Sequence, residues 1–157
     1  MYAPNIIVDI LYFLSYLYAT SVGMNPKNMD PSMAAVFMNH LPDATNIKTM
    51  VHMGQMYRNG NKFYKYDFGE EGNLARYASK TPPEYTLSNV KTPIAIFSGD
   101  ADGFATQKDV QILIENLPNV IHHHKVNITG FAHLDFILGV NANEFLNEEI
   151  VAVMNKL

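Results

Sequence analysis

The clearest hydrophobic pattern lies in the last third of the chain, where apolar segments alternate between two periodicities. Residues 94–97 form a continuous apolar run that begins after Pro93, which is typical of a strand buried on both faces. Residues 107–116 have apolar side chains at helical spacing, residues 120–128 are β-prone, and residues 141–156 again have helical spacing. The order strand, helix, strand, helix predicts a parallel βαβα unit within an α/β fold.

The first 80 residues have mostly helical patterns and are rich in Met and Tyr. The segment 30–32 (Asp-Pro-Ser) has the features of a helix start, and apolar residues follow it at helical spacing over residues 33–41. Residues 46–57 carry a second set of apolar side chains on or near one face. The methionines in this stripe indicate core or lid packing rather than a cofactor-binding segment, because Met commonly fills gaps between apolar side chains.

The most apolar segment of the chain is residues 6–19 (IIVDILYFLSYLYA). It contains Asp9, follows no basic segment and is shorter than the roughly 20 residues that a transmembrane helix needs. We therefore predict a buried helix with no transmembrane segment and no clear signal peptide. The alternative for this segment is a degenerate signal peptide. A chain that begins with its most apolar helix also fits the C-terminal part of a longer protein.

Composition and charge exclude several classes of protein. Apolar residues make up 48% and charged residues 17% of the 157 residues, so a disordered chain is not expected. The net charge is −4, whereas a protein that binds nucleic acid by neutralising phosphates normally has a basic excess. The absence of cysteine excludes disulfides, thiolate zinc sites and a cysteine nucleophile.

Two loops that follow the predicted strands carry the residues suited to catalysis. Residues 99–103 (Gly-Asp-Ala-Asp-Gly) follow the first strand, and residues 129–133 (Thr-Gly-Phe-Ala-His) follow the second. Parallel strands end at one edge of a sheet, where ligands of α/β proteins bind. Asp102 and His133 are therefore predicted to meet, in the chain order of the last two members of a Ser-Asp-His triad. By spacing alone, Asp102 also fits a turn residue and His133 a structural or surface histidine.

Three consecutive histidines, residues 122–124, suggest a metal site, but the pattern is weak. Neighbouring residues of a strand point to opposite faces, so only His122 and His124 share a face, and the sequence shows no third ligand nearby. A calcium loop that starts at Asp100 does not match the EF-hand template, because its fifth position is Phe104. We therefore predict no metal and no cofactor.

Two motifs lie at a characteristic spacing in the last third of the chain, namely residues 92–102 (TPIAIFSGDAD) and residues 130–136 (GFAHLDF). Shorter matching segments lie upstream, at residues 40–45 (HLPDAT), 60–63 (GNKF), 66–69 (YDFG) and 82–85 (PPEY). Over roughly residues 20–155, the chain resembles the acid lipases, which are the gastric and lysosomal lipases of the α/β-hydrolase class. The upstream segments match the cap helices of that family and the return of its chain to the core.

The resemblance implies the C-terminal portion of an α/β-hydrolase fold preceded by a mostly helical cap or lid. Residues 1–80 would be the cap or lid region, and residues 81–157 would be the C-terminal part of the hydrolase core. Asp102 matches the catalytic acid of the family and His133 its catalytic base, in the hydrolysis of acylglycerols or sterol esters. His133 would take the proton of a serine hydroxyl, while Asp102 would orient the imidazole. Asp135 lies in the same motif, but the resemblance implies no catalytic role for it.

The sequence departs from the family at the nucleophile, because it contains no Gly-x-Ser-x-Gly motif. We expect the 157 residues alone to be inactive and hydrolysis to require a missing N-terminal half. The alternative hypothesis is a non-catalytic remnant that binds a lipid or a protein. The resemblance implies a lipid ester as substrate and a secreted or lysosomal location, and the sequon at Asn127 would then be usable for glycosylation.

Overall fold

The computed structural model describes residues 23–30, 39–40, 45–60 and 62–156. Contacts between residues divide the chain into two compact units. The first, which we call the helical unit, consists of Asp43–Lys91 and Glu115–Pro118. The second, which we call the sheet unit, holds the rest of the chain. The predicted helix over residues 6–19 and nearly all of the one over residues 33–41 lie outside the described residues, and the predicted division at residue 80 stays a prediction.

The helical unit contains α1 (Ile47–Arg58) and α2 (Gly69–Tyr77). The side chain of Asn46 accepts a hydrogen bond of 2.8 Å from the backbone of the first turn of α1, so this helix starts where the sequence predicted. Asn73 is only 1% exposed, and it hydrogen-bonds the backbone just before and just after α2. These bonds satisfy the buried amide and hold the connections around α2 in place.

The apolar stripe of α1 is exposed rather than packed in a core. None of the residues of α1 is buried, and Ile47 and Tyr57 are 80% and 90% exposed. The expectation of core packing for this stripe is therefore wrong for the described residues, whereas the lid interpretation stays a prediction. Within the described part of the chain, no helix has the length and apolar character needed to cross a membrane.

The sheet unit is built on two parallel strands, β1 (Ile94–Ser98) and β2 (Val120–Lys125). Helix α3 (Gln107–Asn116) lies between them in the chain, so the predicted order of strand, helix and parallel strand is confirmed. Strand β2 ends three residues earlier than the predicted β-prone segment, because its partner β1 ends at Ser98, opposite Lys125, and a bend and turn follow Val126.

The closing helical segment predicted over residues 141–156 is present, but it is not one regular helix. It begins with a π-helical turn (Asn143–Asn147) and continues as an α-helix (Glu148–Met154). A short helix, α4 (Asp135–Leu138), precedes it, and we therefore number the closing helix α5. Ala142, Leu146 and Val153 are the buried residues of the closing segment among the residues described, which places one face of it against the core.

The core of the sheet unit forms around three buried side chains, Val126, Phe131 and Leu146. Phe131 is 1% exposed and meets Phe136 edge-on, with 4.9 Å between the ring centroids. Burying a side chain of this size contributes about 2–3 kcal/mol. Phe131 belongs to the loop that also carries His133, so the packing of Phe131 in the core holds that loop in place.

Residues 23–30 also belong to the sheet unit. Met24 and Met29 are buried and pack against Leu134 and Leu138 of the segment that follows His133. The backbone of Met29 forms an isolated antiparallel bridge with Gly139. A segment far upstream in the chain thus supports the region around the predicted base.

Candidate active site

Asp102 lies in the loop after β1, and its carboxylate is held on two sides. One oxygen, Oδ1, accepts hydrogen bonds from the backbone N–H groups of Phe104 and Ala105, at 2.8 and 2.9 Å. The other oxygen, Oδ2, lies 3.1 Å from Nδ1 of His133. The side chain is 5% exposed, so the backbone donors replace water as its hydrogen-bond partners. The carboxylate is fixed by its own loop and presents one oxygen to the histidine.

His133 lies in the loop after β2 and is accessible from solvent. Its side chain is 46% exposed, and its ring packs against that of Phe104 with 5.0 Å between the centroids. When Nδ1 carries the proton and donates it to the carboxylate of Asp102, Nε2 is left with the lone pair of a general base. The structure therefore brings the two predicted site residues together, in an arrangement suited to proton transfer.

A second carboxylate, that of Asp100, ties the two loops to each other. It accepts hydrogen bonds from the backbone N–H groups of Gly130 and Phe131, at 3.1 and 2.8 Å. In the opposite direction, the N–H of Ala101 donates to the carbonyl of Phe131 at 3.1 Å. Asp100 therefore spans 31 positions of the sequence to fix the distance between the loops of Asp102 and His133.

The close approach of the two loops depends on Gly99. A Cβ atom at this position would overlap the carbonyl oxygen of Phe131, and that oxygen belongs to backbone rather than to a flexible side chain. Only glycine fits between the end of β1 and the other loop without a backbone shift. Within four positions, the Gly-Asp-x-Asp sequence thus supplies the close contact of Gly99, the carboxylate of Asp100 that holds the two loops together, and the acid Asp102.

Asp135 was not assigned a role from the sequence, yet it is the most buried acid of the site, with no exposed area. Its carboxylate accepts hydrogen bonds from the N–H of Ala132 at 2.9 Å, from the N–H of Asn25 at 3.2 Å and from the side-chain amide of Asn28 at 2.7 Å. The amide of Asn25 also donates to the carbonyl of Gly130 at 3.0 Å. Asp135 therefore joins the loop of His133 to residues 23–30. Its position two residues after the predicted base is the signal that sequence analysis could have used.

The described serines do not supply a nucleophile next to this pair. Ser98 hydrogen-bonds Nε2 of His123 at 3.0 Å, but it is only 3% exposed, at the buried end of β1. A nucleophile must reach the substrate carbonyl, and a buried hydroxyl within a sheet does not. The Ser98–His123 pair is therefore structural, and the described site comprises an acid and a base only.

Comparison with known proteins finds acid lipases that are similar in sequence to this chain. No protein-family model matches the chain. Gastric triacylglycerol lipase of Bos taurus is 36% identical over 133 residues, which cover 84% of this chain and 33% of that lipase. Lysosomal acid lipase/cholesteryl ester hydrolase of Rattus norvegicus is 34% identical over 135 residues, with 85% of this chain and 33% of that protein covered. Gastric triacylglycerol lipase of Homo sapiens is 33% identical over 135 residues, with the same coverage.

This chain is a relative of the gastric and lysosomal acid lipases. The family resemblance predicted from its motifs is therefore confirmed. The chain spans about a third of the length of the acid lipases that it matches. Their α/β-hydrolase fold agrees with the parallel strand pair of the sheet unit, which accounts for part of such a fold. The catalytic roles of Asp102 and His133 stay predictions.

Proposed function

We propose that Asp102 and His133 serve as the acid and base of a lipid ester hydrolase that uses a Ser-Asp-His triad. The observation that carries the proposal is the 3.1 Å contact between Oδ2 of Asp102 and Nδ1 of His133, in a chain related to the acid lipases. The burial of the carboxylate and the exposure of the imidazole match the two roles, because the acid orients and the base must reach the substrate.

In the proposed mechanism, Nε2 of His133 takes the proton from a serine hydroxyl as that hydroxyl attacks the ester carbonyl. The resulting imidazolium is stabilised by the carboxylate of Asp102 and then gives its proton to the leaving alcohol. In the second half of the reaction, His133 activates a water molecule that releases the acyl group. The serine and the oxyanion hole have no counterpart in the sequence given, so on this proposal these 157 residues alone hydrolyse no ester.

The substrate and location also form part of the proposal. The names of the relatives refer to triacylglycerol and to cholesteryl esters, which supports acylglycerols or sterol esters as substrates. The gastric and lysosomal terms in the same names support a secreted or lysosomal location.

The experiment is a chimaera in which this chain replaces the matched third of the Bos taurus gastric triacylglycerol lipase, which is then assayed with a short-chain acyl ester. We expect measurable turnover, a loss of about 10⁴-fold in kcat for Asp102→Asn and a larger loss for His133→Ala. The matched control is Asp109→Asn, an exposed acid on α3. A folded chimaera whose turnover is unchanged by His133→Ala would refute the proposed base.

A second candidate function is a non-catalytic lipid- or protein-binding module. The observation that favours it is the exposed apolar stripe of α1, which includes Ile47, Met50, Met53 and Tyr57. Large exposed apolar side chains close together on a helix are typical of interaction surfaces. This candidate predicts that the purified 157-residue chain binds triolein-containing vesicles and that Met50→Ser weakens that binding, with no ester hydrolysis in either case.

A further inference from the structure

A second group of polar side chains lies on β2, outside the proposed acid–base pair. His122 and His124 are two positions apart on this strand, so they lie on the same face. Their rings are nearly parallel, with an interplanar angle of 7° and 6.4 Å between the centroids. The ring of Phe97 on β1 lies 5.8 and 6.0 Å from them, so an apolar neighbour covers this face of the histidine pair.

The third member of the group comes from helix α5, where the sequence pattern could not reveal it. Oε1 of Glu149 lies 3.1 Å from Nε2 of His122. One nitrogen of each histidine and one carboxylate oxygen of Glu149 all lie within 4.8 Å of one another. Ligand atoms about 2.0–2.2 Å from a tetrahedral metal are about 3.4 Å apart, so small side-chain rotations would close the group around an ion.

The hydrogen bonds of the two histidines leave a nitrogen of each ring free of a hydrogen bond among the described residues. Nε2 of His122 is buried and, among the described residues, makes no hydrogen bond, although the carboxylate of Glu149 is in contact with it. Nε2 of His124 lies 3.1 Å from the carbonyl oxygen of Phe145, so it is the protonated nitrogen and Nδ1 holds the lone pair. A bond from one ring nitrogen to a backbone carbonyl is the usual support of a metal-ligating histidine.

We propose that His122, His124 and Glu149 form a binding site for a divalent transition metal ion of the zinc class. Two imidazoles and one carboxylate are ligands that such ions accept, and all three side chains are partly exposed, so a water molecule could reach the ion as the fourth ligand. The ion would bind to Nε2 of His122, which makes no hydrogen bond among the described residues, and would join β2 to the closing helix α5. The chain continues from β2 into the loop of His133, but the site is independent of the proposed hydrolysis.

The test is zinc binding by the 157-residue chain, prepared without a polyhistidine tag and measured by calorimetry and by competition with a chromophoric chelator. We expect one site and an increase of the thermal unfolding temperature with zinc concentration. His122→Ala, His124→Ala and Glu149→Gln should each weaken binding at least about tenfold. Cobalt in place of zinc should give the visible absorption of a tetrahedral ion, and Glu149→Gln should abolish it.

The matched control is His123→Gln, which removes an imidazole from the same strand on the opposite face, where it contacts Ser98 instead. It should leave the zinc affinity unchanged. Glu149 is partly exposed on a helix, so Glu149→Gln keeps the test valid if the histidine variants do not fold. Absence of zinc binding, or binding that survives Glu149→Gln, would overturn the proposal and leave His122 and Glu149 as an ion pair. Equal weakening by His123→Gln would overturn it as well.

Discussion

Removal of the buried carboxylate of Asp135 tests how the loop of His133 is held. In Asp135→Ala, three donors lose their acceptor, namely the N–H groups of Ala132 and Asn25 and the side-chain amide of Asn28. A buried donor left without a partner costs about 1–3 kcal/mol, and water would satisfy part of this group, so we expect a loss of about 3–5 kcal/mol. This is a large share of the 5–15 kcal/mol typical of a domain.

The assay is urea unfolding of the 157-residue chain, followed by far-ultraviolet circular dichroism. The matched control is Glu144→Gln, an exposed acid that should change the free energy of unfolding by less than about 0.5 kcal/mol. A double-mutant cycle with Asn28→Ala should give a coupling energy of about 1–2 kcal/mol for the 2.7 Å hydrogen bond. A loss below about 1 kcal/mol for Asp135→Ala, with no coupling to Asn28, would refute the account of this network.

The remaining predictions concern the other contacts of the loops and the exposed face of α1. Gly99→Ala should destabilise the chain by about 3 kcal/mol, because its Cβ overlaps the carbonyl of Phe131, and urea unfolding checks this. Asp100→Ala should lower the free energy of unfolding by about 2–3 kcal/mol and increase hydrogen exchange at the amide of Gly130, which donates to the Asp100 carboxylate. Unchanged exchange at Gly130 would contradict the role of Asp100 in holding the two loops together. Tyr57→Ser, at a side chain that is 90% exposed, should change stability by less than about 0.5 kcal/mol in the same unfolding assay.

The sequence was sufficient for the central features of the sheet unit. The continuous apolar run before Ser98 predicted where β1 lies, but the expected burial on both faces is only partial, because Ile94, Ala95 and Phe97 are partly exposed. The meeting of Asp102 and His133 followed from the topology of parallel strands, which brings the two loops to one edge. Both inferences use patterns that are local in the chain or rules that hold for every such sheet.

Contacts between distant positions could not be predicted in the same way. Asn25 and Asp135 are 110 positions apart, and no local periodicity connects them. Glu149 looks like an ordinary solvated acid at the start of a helix, and only the packing of that helix brings it to His122. The prediction of core packing for the apolar stripe of α1 was wrong for another reason. Helical spacing of apolar residues shows that they share a face, but it does not show what covers that face.

The most direct test of the central claim is active-site labelling of the native protein. An antibody to the closing helix would capture the protein from its source, a fluorophosphonate probe would label any activated serine, and mass spectrometry would locate the adduct. Our account predicts a labelled serine within a Gly-x-Ser-x-Gly sequence in the captured material, outside the 157 residues, with labelling abolished by His133→Ala in the recombinant protein. Captured protein that carries no labelled serine and hydrolyses no ester would contradict the roles proposed for Asp102 and His133.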